Sequence, residues 1–258
     1  MCSSDLKVTQ NATVSTTASN GVLSNDTDPD IGDKLTVAAV GAGTGTPTGG
    51  VGTSIAGSLG HLTLNADGSY SYVADNATQL GVGVTATDTF TYVASDGHGG
   101  SASTTLTITV TGTNDAPTAV ADTAIVTDTA LSATGNVLSN DSDPDQGDKL
   151  SVTTFKVDTN GDGIDEVFNA GQVATIKTAG GVTEGTLTIN ADGSYTFTRA
   201  SGYTGPIPQA TYTETDGHGG SASATLSISD LHLGVAPKTY GVSTNFQEVN
   251  LGGGTYAN

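Results

Sequence analysis

A single cysteine, Cys2, stands in the 258 residues, so no disulfide can form within the chain. Tryptophan is absent, and only seven residues are Lys or Arg against 26 Asp or Glu, for a formal charge of −19. Phosphate contacts need Lys and Arg, so a nucleic-acid surface is excluded. No apolar run reaches the roughly 18 residues of a membrane-spanning helix. The N-terminus has no basic region followed by an apolar stretch, so no signal peptide is visible and any export signal is expected outside this segment. Helix-forming residues are also scarce. Glu occurs only at 166, 184, 214 and 248, and Thr, Ser, Val and Gly dominate instead. No stretch has a helical period, and the composition is that of an all-β chain.

The opening MCSSDL back-translates to ATG TGC TCT TCC GAT CT, which resembles the end of a common sequencing adapter. These residues are expected to be an assembly scar, to be set aside in fold reasoning. Recovery of the same codons contiguous with upstream coding sequence in long genomic reads would refute that expectation.

What the chain has in abundance is Asp, and it has it in duplicate. GVLSNDTDPDIGDKLTV at 21–37 returns as NVLSNDSDPDQGDKLSV at 136–152. LTLNADGSYSYV at 62–73 returns as LTINADGSYTFT at 187–198, and SDGHGGSASTTLTI at 95–108 returns as TDGHGGSASATLSI at 215–228. The anchors keep their order while the spacing between them drifts, which places the insertions in loops and makes the anchors framework. The first unit is expected over residues 7–113 and the second over 118–230. The short TGTNDAPT between them, with Pro117, reads as a stiff joint. The tail 231–258 matches neither unit and reads as the start of a further, truncated module.

Within each copy the hydrophobic period is two. Phe90 and Tyr92 share one face with Thr89 and Thr91 opposite, and Leu106, Ile108 and Val110 oppose Thr105, Thr107 and Thr109. The LTLNADGSYSY and LTINADGSYTF segments read as β-hairpins with Gly68 and Gly193 at positive φ. They turn Leu62, Leu64, Tyr70 and Tyr72, and their counterparts Leu187, Ile189, Tyr195 and Phe197, toward a core. The prediction is two tandem antiparallel β-sandwiches of the immunoglobulin-like kind, without the Trp and Cys pair of antibody domains.

In the SNDxDPDxGDK stretches, Asp26, Asp28, Asp30 and Asp33 crowd into eight positions, as do Asp141, Asp143, Asp145 and Asp148. Two unit charges about 4 Å apart repel by roughly 1 kcal/mol even in water, so the crowding needs ample solvent or a cation. A tight turn, with Pro29 or Pro144 fixing φ, accounts for the loop by itself. Calcium is compatible with that turn, because Ca²⁺ takes about six to eight oxygens from carboxylates, Asn side chains and backbone. The second unit has a sharper pattern in DTNGDGIDE. Asp158, Asn160, Asp162, the carbonyl of Ile164 and Glu166 fall at positions 1, 3, 5, 7 and 9 of an EF-hand-like loop, with Gly163 at 6. Position 12 is Asn169 rather than Glu, and no flanking helices are apparent. Calcium is the favoured reading there, with a simple acidic hairpin as the alternative.

Nothing points to catalysis. His98 and His218, each set in DGHGG, read as turn residues rather than zinc ligands, while His61 and His232 lack repeat partners. No Gly-x-Ser-x-Gly elbow occurs. Paired carboxylates for glycoside hydrolysis are left open by composition, but duplicated units with acids in turns suit a scaffold better than a cleft.

SDGHGGSASTTLTITVTGTNDAP at 95–117, with NVLSNDSDPDQGDKL and LTINADGSYTF, resembles the VCBS and cadherin-like repeats of giant bacterial surface adhesins, often of the RTX type. TNDAP resembles the calcium-ligating NDN-P linker of cadherins, with Ala116 in place of the second Asn, so the resemblance implies Asn114 and Asp115 as ligands. It further implies type I secretion, an extracellular or cell-surface location, and Ca²⁺ that stiffens the joints between neighbouring repeats of one chain. Any host or surface ligand would be bound elsewhere in the parent protein. The expected function is a non-catalytic, calcium-stabilised extender of an adhesin. The rival is an accessory or carbohydrate-binding module of a secreted hydrolase, against which the low aromatic content weighs.

Overall fold

The computed structural model describes residues 6–232; residues 1–5 and 233–258, which include Cys2 and nearly all of the unmatched tail, lie outside the described residues. The first unit contains eight strands: β1 (Leu6–Thr9), β2 (Thr13–Ser15), β3 (Thr36–Ala42), β4 (Ser54–Ala56), β5 (His61–Leu64), β6 (Tyr70–Val73), β7 (Thr85–Ser95) and β8 (Ser101–Thr111). The second contains nine: β9 (Asp122–Thr127), β10 (Ser132–Asn136), β11 (Ser151–Val157), β12 (Glu166–Asn169), β13 (Val173–Lys177), β14 (Thr183–Ile189), β15 (Ser194–Arg199), β16 (Ala210–Thr215) and β17 (Ser221–Leu231).

Each unit is a two-sheet sandwich. Sheets β1-β8-β7-β3 and β2-β6-β5-β4 make the first, and β12-β11-β16-β17-β9 and β10-β15-β14-β13 make the second. Alternation along the strands decides which residues meet between the sheets. Leu62, Leu64, Tyr72, Phe90, Leu106 and Ile108 are sealed in one core, and Phe155, Ile176, Leu187, Ile189, Phe197 and Tyr212 in the other. Full burial of each such side chain contributes roughly 1.5–3 kcal/mol. The two NADG hairpins close as expected: Leu64 pairs with Tyr70 and Ile189 with Tyr195, with Gly68 at φ 84° and Gly193 at φ 80°.

The structure departs from a purely antiparallel plan in one respect. The first strand of each unit runs parallel to the last, β1 along β8 and β9 along β17. This pairing lets the chain enter and leave each sandwich at opposite ends, which stacking in tandem requires. Thr91, placed on the wet face by its period, is buried and donates its hydroxyl to the Gly43 carbonyl at 2.7 Å. The DTNGDGIDE insertion connects β11 to the additional edge strand β12.

The units differ at the far end of the second. Arg199, 4% exposed, bonds Asp230 and the Thr127 carbonyl and lies beside Asp128, which His232 also contacts at 2.8 Å. Hydrogen bonding to Asp230 holds the guanidinium protonated. The hairpin register puts Ala74 where Arg199 stands, and the last strands put Val110 where Asp230 stands.

Candidate metal centre at the joint between the repeats

The loop between β10 and β11 folds on its own hydrogen bonds. The Asp143 carboxylate accepts the Asp145 N–H at 2.8 Å, and the Asp148 N–H reaches back to the Asp145 carbonyl at 3.3 Å. The first unit repeats the arrangement: Asp28 accepts from the Asp30 N–H at 2.8 Å, and the Asp33 N–H reaches the Asp30 carbonyl at 3.4 Å. These bonds mimic a backbone turn and aim the carboxylates to one side. Oxygens of Asp28, Asp30 and Asp33 come within 4.8 Å of one another, and so do those of Asp143, Asp145 and Asp148.

The linker makes the second of these loops into a joint. The Asp115 N–H donates to Asp145 at 2.9 Å, and the Asp115 carboxylate accepts from the Gln10 amide of the first unit at 2.6 Å. Gln10 in turn accepts the Thr113 N–H at 3.1 Å. Asn114 donates its side-chain amide to Asp216 at 2.8 Å. The Gln146 N–H bonds the Gln79 carbonyl at 3.2 Å, a direct backbone tie between the two units. Asp145 is 2% exposed, whereas its counterpart Asp30 lies open to solvent.

This construction leaves oxygens without partners. Asn114 Oδ1, Asp143 Oδ2 and Asp145 Oδ1 are buried and accept no hydrogen bond. A buried acceptor left unmade costs about 1–3 kcal/mol, and more when charged. Burial raises the Asp143 carboxyl above its ordinary value; the bond from Asp145 N–H opposes this, and the charges of Asp145, Asp148 and Asp216 add to it. A divalent cation would reverse these penalties, since its charge favours the ionised carboxylates and its coordination uses the spare lone pairs. The donors are all oxygen, on carboxylates and an amide, which suits Ca²⁺ and not a thiolate- or imidazole-seeking metal.

Sequence-predicted residues are divided by the structure. Asp143 and Asp145 meet Asn114 and Asp115 at the joint, with Asp148 beside them. Asp141 is engaged elsewhere: its carboxylate accepts the Val120 N–H at 2.7 Å and the Tyr212 hydroxyl at 2.9 Å. Asp28 and Asp30 cluster with Asp33 at the corresponding end of the first unit, where Asp26 and Asp28 line a cavity of about 380 Å³ together with Ala94 and Asp96.

The DTNGDGIDE loop is not drawn into such a carboxylate set. Asp158 accepts the N–H groups of Asn160, Gly161 and Gly163 at 3.1, 2.7 and 2.8 Å. Those bonds, led by the one from Gly163, hold its carboxyl below the ordinary range. Asn160 caps the Asp162 N–H and Asp162 caps the Ile164 N–H. Glu166 takes the Thr159 N–H and hydroxyl on one oxygen and the Asn160 amide on the other. The loop thus holds Asp158 and Asp162 by backbone N–H groups and Glu166 by Thr159 and Asn160, while Asp165 pairs with Lys156 at 3.7 Å.

Four contributors escape sequence reasoning. Gln10 and Asp216 act across about a hundred positions of chain, and Glu214 lies under the loop on the core face of β16. His218, expected to be only a turn residue, bonds Asp148 at 2.9 Å, as His98 bonds Asp33 at 3.2 Å. The repeated DGHGG, alongside the repeated GDK, was the available signal for that last pair.

Two stacked β-sandwiches whose linker is bonded into acidic loops of the following unit define a tandem pair of cadherin-like repeats. The chain belongs to the bacterial cadherin-like domain family, which it matches over residues 3–112 and 114–230. Among solved structures it is similar to mouse clustered PcdhgC3 EC1-3, with 16% identity and a TM-score of 0.44 over 87% of this chain and 64% of that one. It is also similar to the human Desmocollin-1 ectodomain, with 14% identity and a TM-score of 0.38 over 81% and 32%. A third similarity, to the endo-fucoidan hydrolase MfFcnA9 from glycoside hydrolase family 107, has 12% identity and a TM-score of 0.26 over 75% and 28%. The chain thus spans less than two thirds of these structures' lengths. A search of curated proteins returns no match. Cadherin-like domains are extracellular, generally bind calcium and are typically non-catalytic. Among the described residues no helix is long and apolar enough to cross a membrane.

Proposed function

We propose that this chain is a calcium-stiffened extender of a secreted bacterial surface adhesin of the RTX type, exported by type I secretion and contributing to adhesion or biofilm scaffolding. Its units are residues 7–113 and 118–230, and its partners are neighbouring repeats of the same chain. The single observation that carries the reading is the set of buried, partnerless oxygens on Asn114, Asp143 and Asp145, supplied jointly by the linker and by the loop it packs on. An ion there would tie the units together, with Asp115, Asp148 and Asp216 in the surrounding shell. Extracellular modules bind Ca²⁺ with dissociation constants of about 10⁻⁴ to 10⁻³ M, so the joint would stiffen after export.

The rival reading, a sugar-binding accessory module, needs aromatic rings on an open face. Every described Phe and Tyr is buried or half-buried, which favours the extender.

Calorimetric unfolding in calcium and in chelator tests the proposal. A ligand at a hundredfold its dissociation constant stabilises by about 2.7 kcal/mol per site. The expected result is an upward shift of the transition involving the second repeat; superimposable traces would refute the reading.

A further inference from the structure

The chain leaves its two repeats by differently built exits. In the first, Gly112 follows β8 and is joined to the loop before β7 by backbone alone: its N–H donates to the Val84 carbonyl at 2.8 Å, and its carbonyl accepts the Gly83 N–H at 3.1 Å. A Cβ there would fall 2.0 Å from the Leu80 carbonyl oxygen, so position 112 admits only glycine. The parallel registers of β1 with β8 and of β9 with β17 make His232 the counterpart of Gly112 and Asp128 the counterpart of Gln10. The second repeat carries a side chain where the first has none.

Both ring nitrogens of that side chain face oxygen. Nδ1 lies 2.8 Å from Asp128 Oδ1. Nε2 lies 3.4 Å from the Thr204 carbonyl and 3.5 Å from Asp230 Oδ2, a buried oxygen that accepts no hydrogen bond. A neutral imidazole has one N–H and one lone pair, so either tautomer would turn a lone pair onto an acceptor, and only the imidazolium donates on both sides. The charges agree. Arg199, itself buried, pairs with Asp230 and lies 3.6 Å from Asp128, and one guanidinium against two carboxylates leaves one negative charge for His232 to match. Glu184 of β14 and Tyr203 of the loop before β16, hydrogen-bonded to each other, complete the surroundings. The Tyr203 hydroxyl, pushed up to about 12 by burial, stays neutral, and Glu184 can add only negative charge, which favours the same proton.

We propose that His232 is a proton-operated clasp at the exit of the second repeat: as the imidazolium it fastens together the turn after β9, the loop before β16 and the end of β17, and on losing its proton it releases the loop. The stiffness of that exit is then set by pH, whereas the glycine exit of the first repeat, made of backbone bonds, is indifferent to it. The clasp uses none of the acids at the joint between the repeats. Its hydrogen bond to Asp128 is the main cause that raises the imidazole above the ordinary value of 6.5. A group raised in this way contributes its stability in full below its unfolded-state value, and the contribution is lost as pH rises through the folded-state midpoint.

The test is an NMR titration of the full chain from about pH 5.5 to about pH 9, the range in which histidine changes charge, with calcium held constant, for the wild type, Asp128→Gln and His232→Gln. Glutamine is the first repeat's own residue at the position of Asp128, and His232 is at the surface, so both variants should fold. In the wild type the His232 ring should titrate above 6.5, and the backbone amides of residues 127–130 and 200–205 should shift with the same midpoint. Asp128→Gln should bring the ring's midpoint down toward 6.5, and His232→Gln should abolish the amide response. A wild-type ring midpoint at or below 6.5 overturns the proposal, as do loop amides that ignore the ring or that still titrate in His232→Gln.

Discussion

The same eight-position acidic stretch sits at the head of each repeat, yet the two copies live in different surroundings. In the first, Asp30 is open to solvent and Asp26, Asp28 and Asp96 border a cavity. In the second, the linker lies across the loop, Asp145 is buried to 2% exposure, and Asn114 and Asp115 are bonded to Asp216 and Asp145. The loop's own hydrogen bonds are the same in both, so the turn is prefabricated by local sequence. Its conversion into an oxygen cage depends on a segment from outside the repeat. A motif of this kind specifies a surface, and docking decides what that surface becomes.

Asp145→Ala should break the comparison most severely. It removes the acceptor of the Asp115 N–H together with a proposed calcium ligand, and in calcium it should destabilise the second repeat by about 3 kcal/mol. Asp30→Ala, at the exposed counterpart, should stay within about 0.5 kcal/mol. Calorimetry on the two variants checks the contrast, and equal losses would mean the linker adds nothing to the loop.

A glycine pair sharpens the same contrast at smaller amplitude. A Cβ on Gly220 would meet Asn114 Nδ2 at 2.9 Å and the Ala116 Cα at 3.0 Å, besides Asp216 itself. At Gly100 the three atoms nearest to a Cβ all belong to the Asp96 carboxylate. Gly220→Ala must therefore push the linker backbone aside, at about 1–3 kcal/mol for overpacking, whereas Gly100→Ala requires only a carboxylate to turn. Urea midpoints for the two variants should differ in that direction, and a Gly100→Ala effect as large as that of Gly220→Ala would contradict the docked linker.

Much of the sandwich is legible in the sequence, because its cause is local. Alternation at Leu62, Leu64, Tyr70 and Tyr72 and at Leu187, Ile189, Tyr195 and Phe197 names the core, and Ala-Asp-Gly names the turns between those strands. The parallel pairing of β1 with β8 is not legible, since strand period carries no information on a partner a hundred residues away. The burial of Thr91 depends on the Gly43 carbonyl lying above it, which again is a long-range fact. The candidate site divides along the same line. Asp143, Asp145, Asn114 and Asp115 stand out by motif and spacing, while Gln10, Asp216 and Glu214 become visible only when distant segments are brought together. At DTNGDGIDE the spacing that matches a calcium loop also places Asp158 and Asp162 to cap backbone N–H groups, and each carboxylate keeps lone pairs that an ion could use.

The most direct test of the tied joint is a distance distribution between spin labels, one on each repeat. Labels at Ser54→Cys and Thr175→Cys, both exposed positions, in a Cys2→Ser background, would be compared in calcium and in chelator. The account predicts a single narrow distribution in calcium that broadens when the ion is removed. Distributions of equal width in both conditions would contradict it.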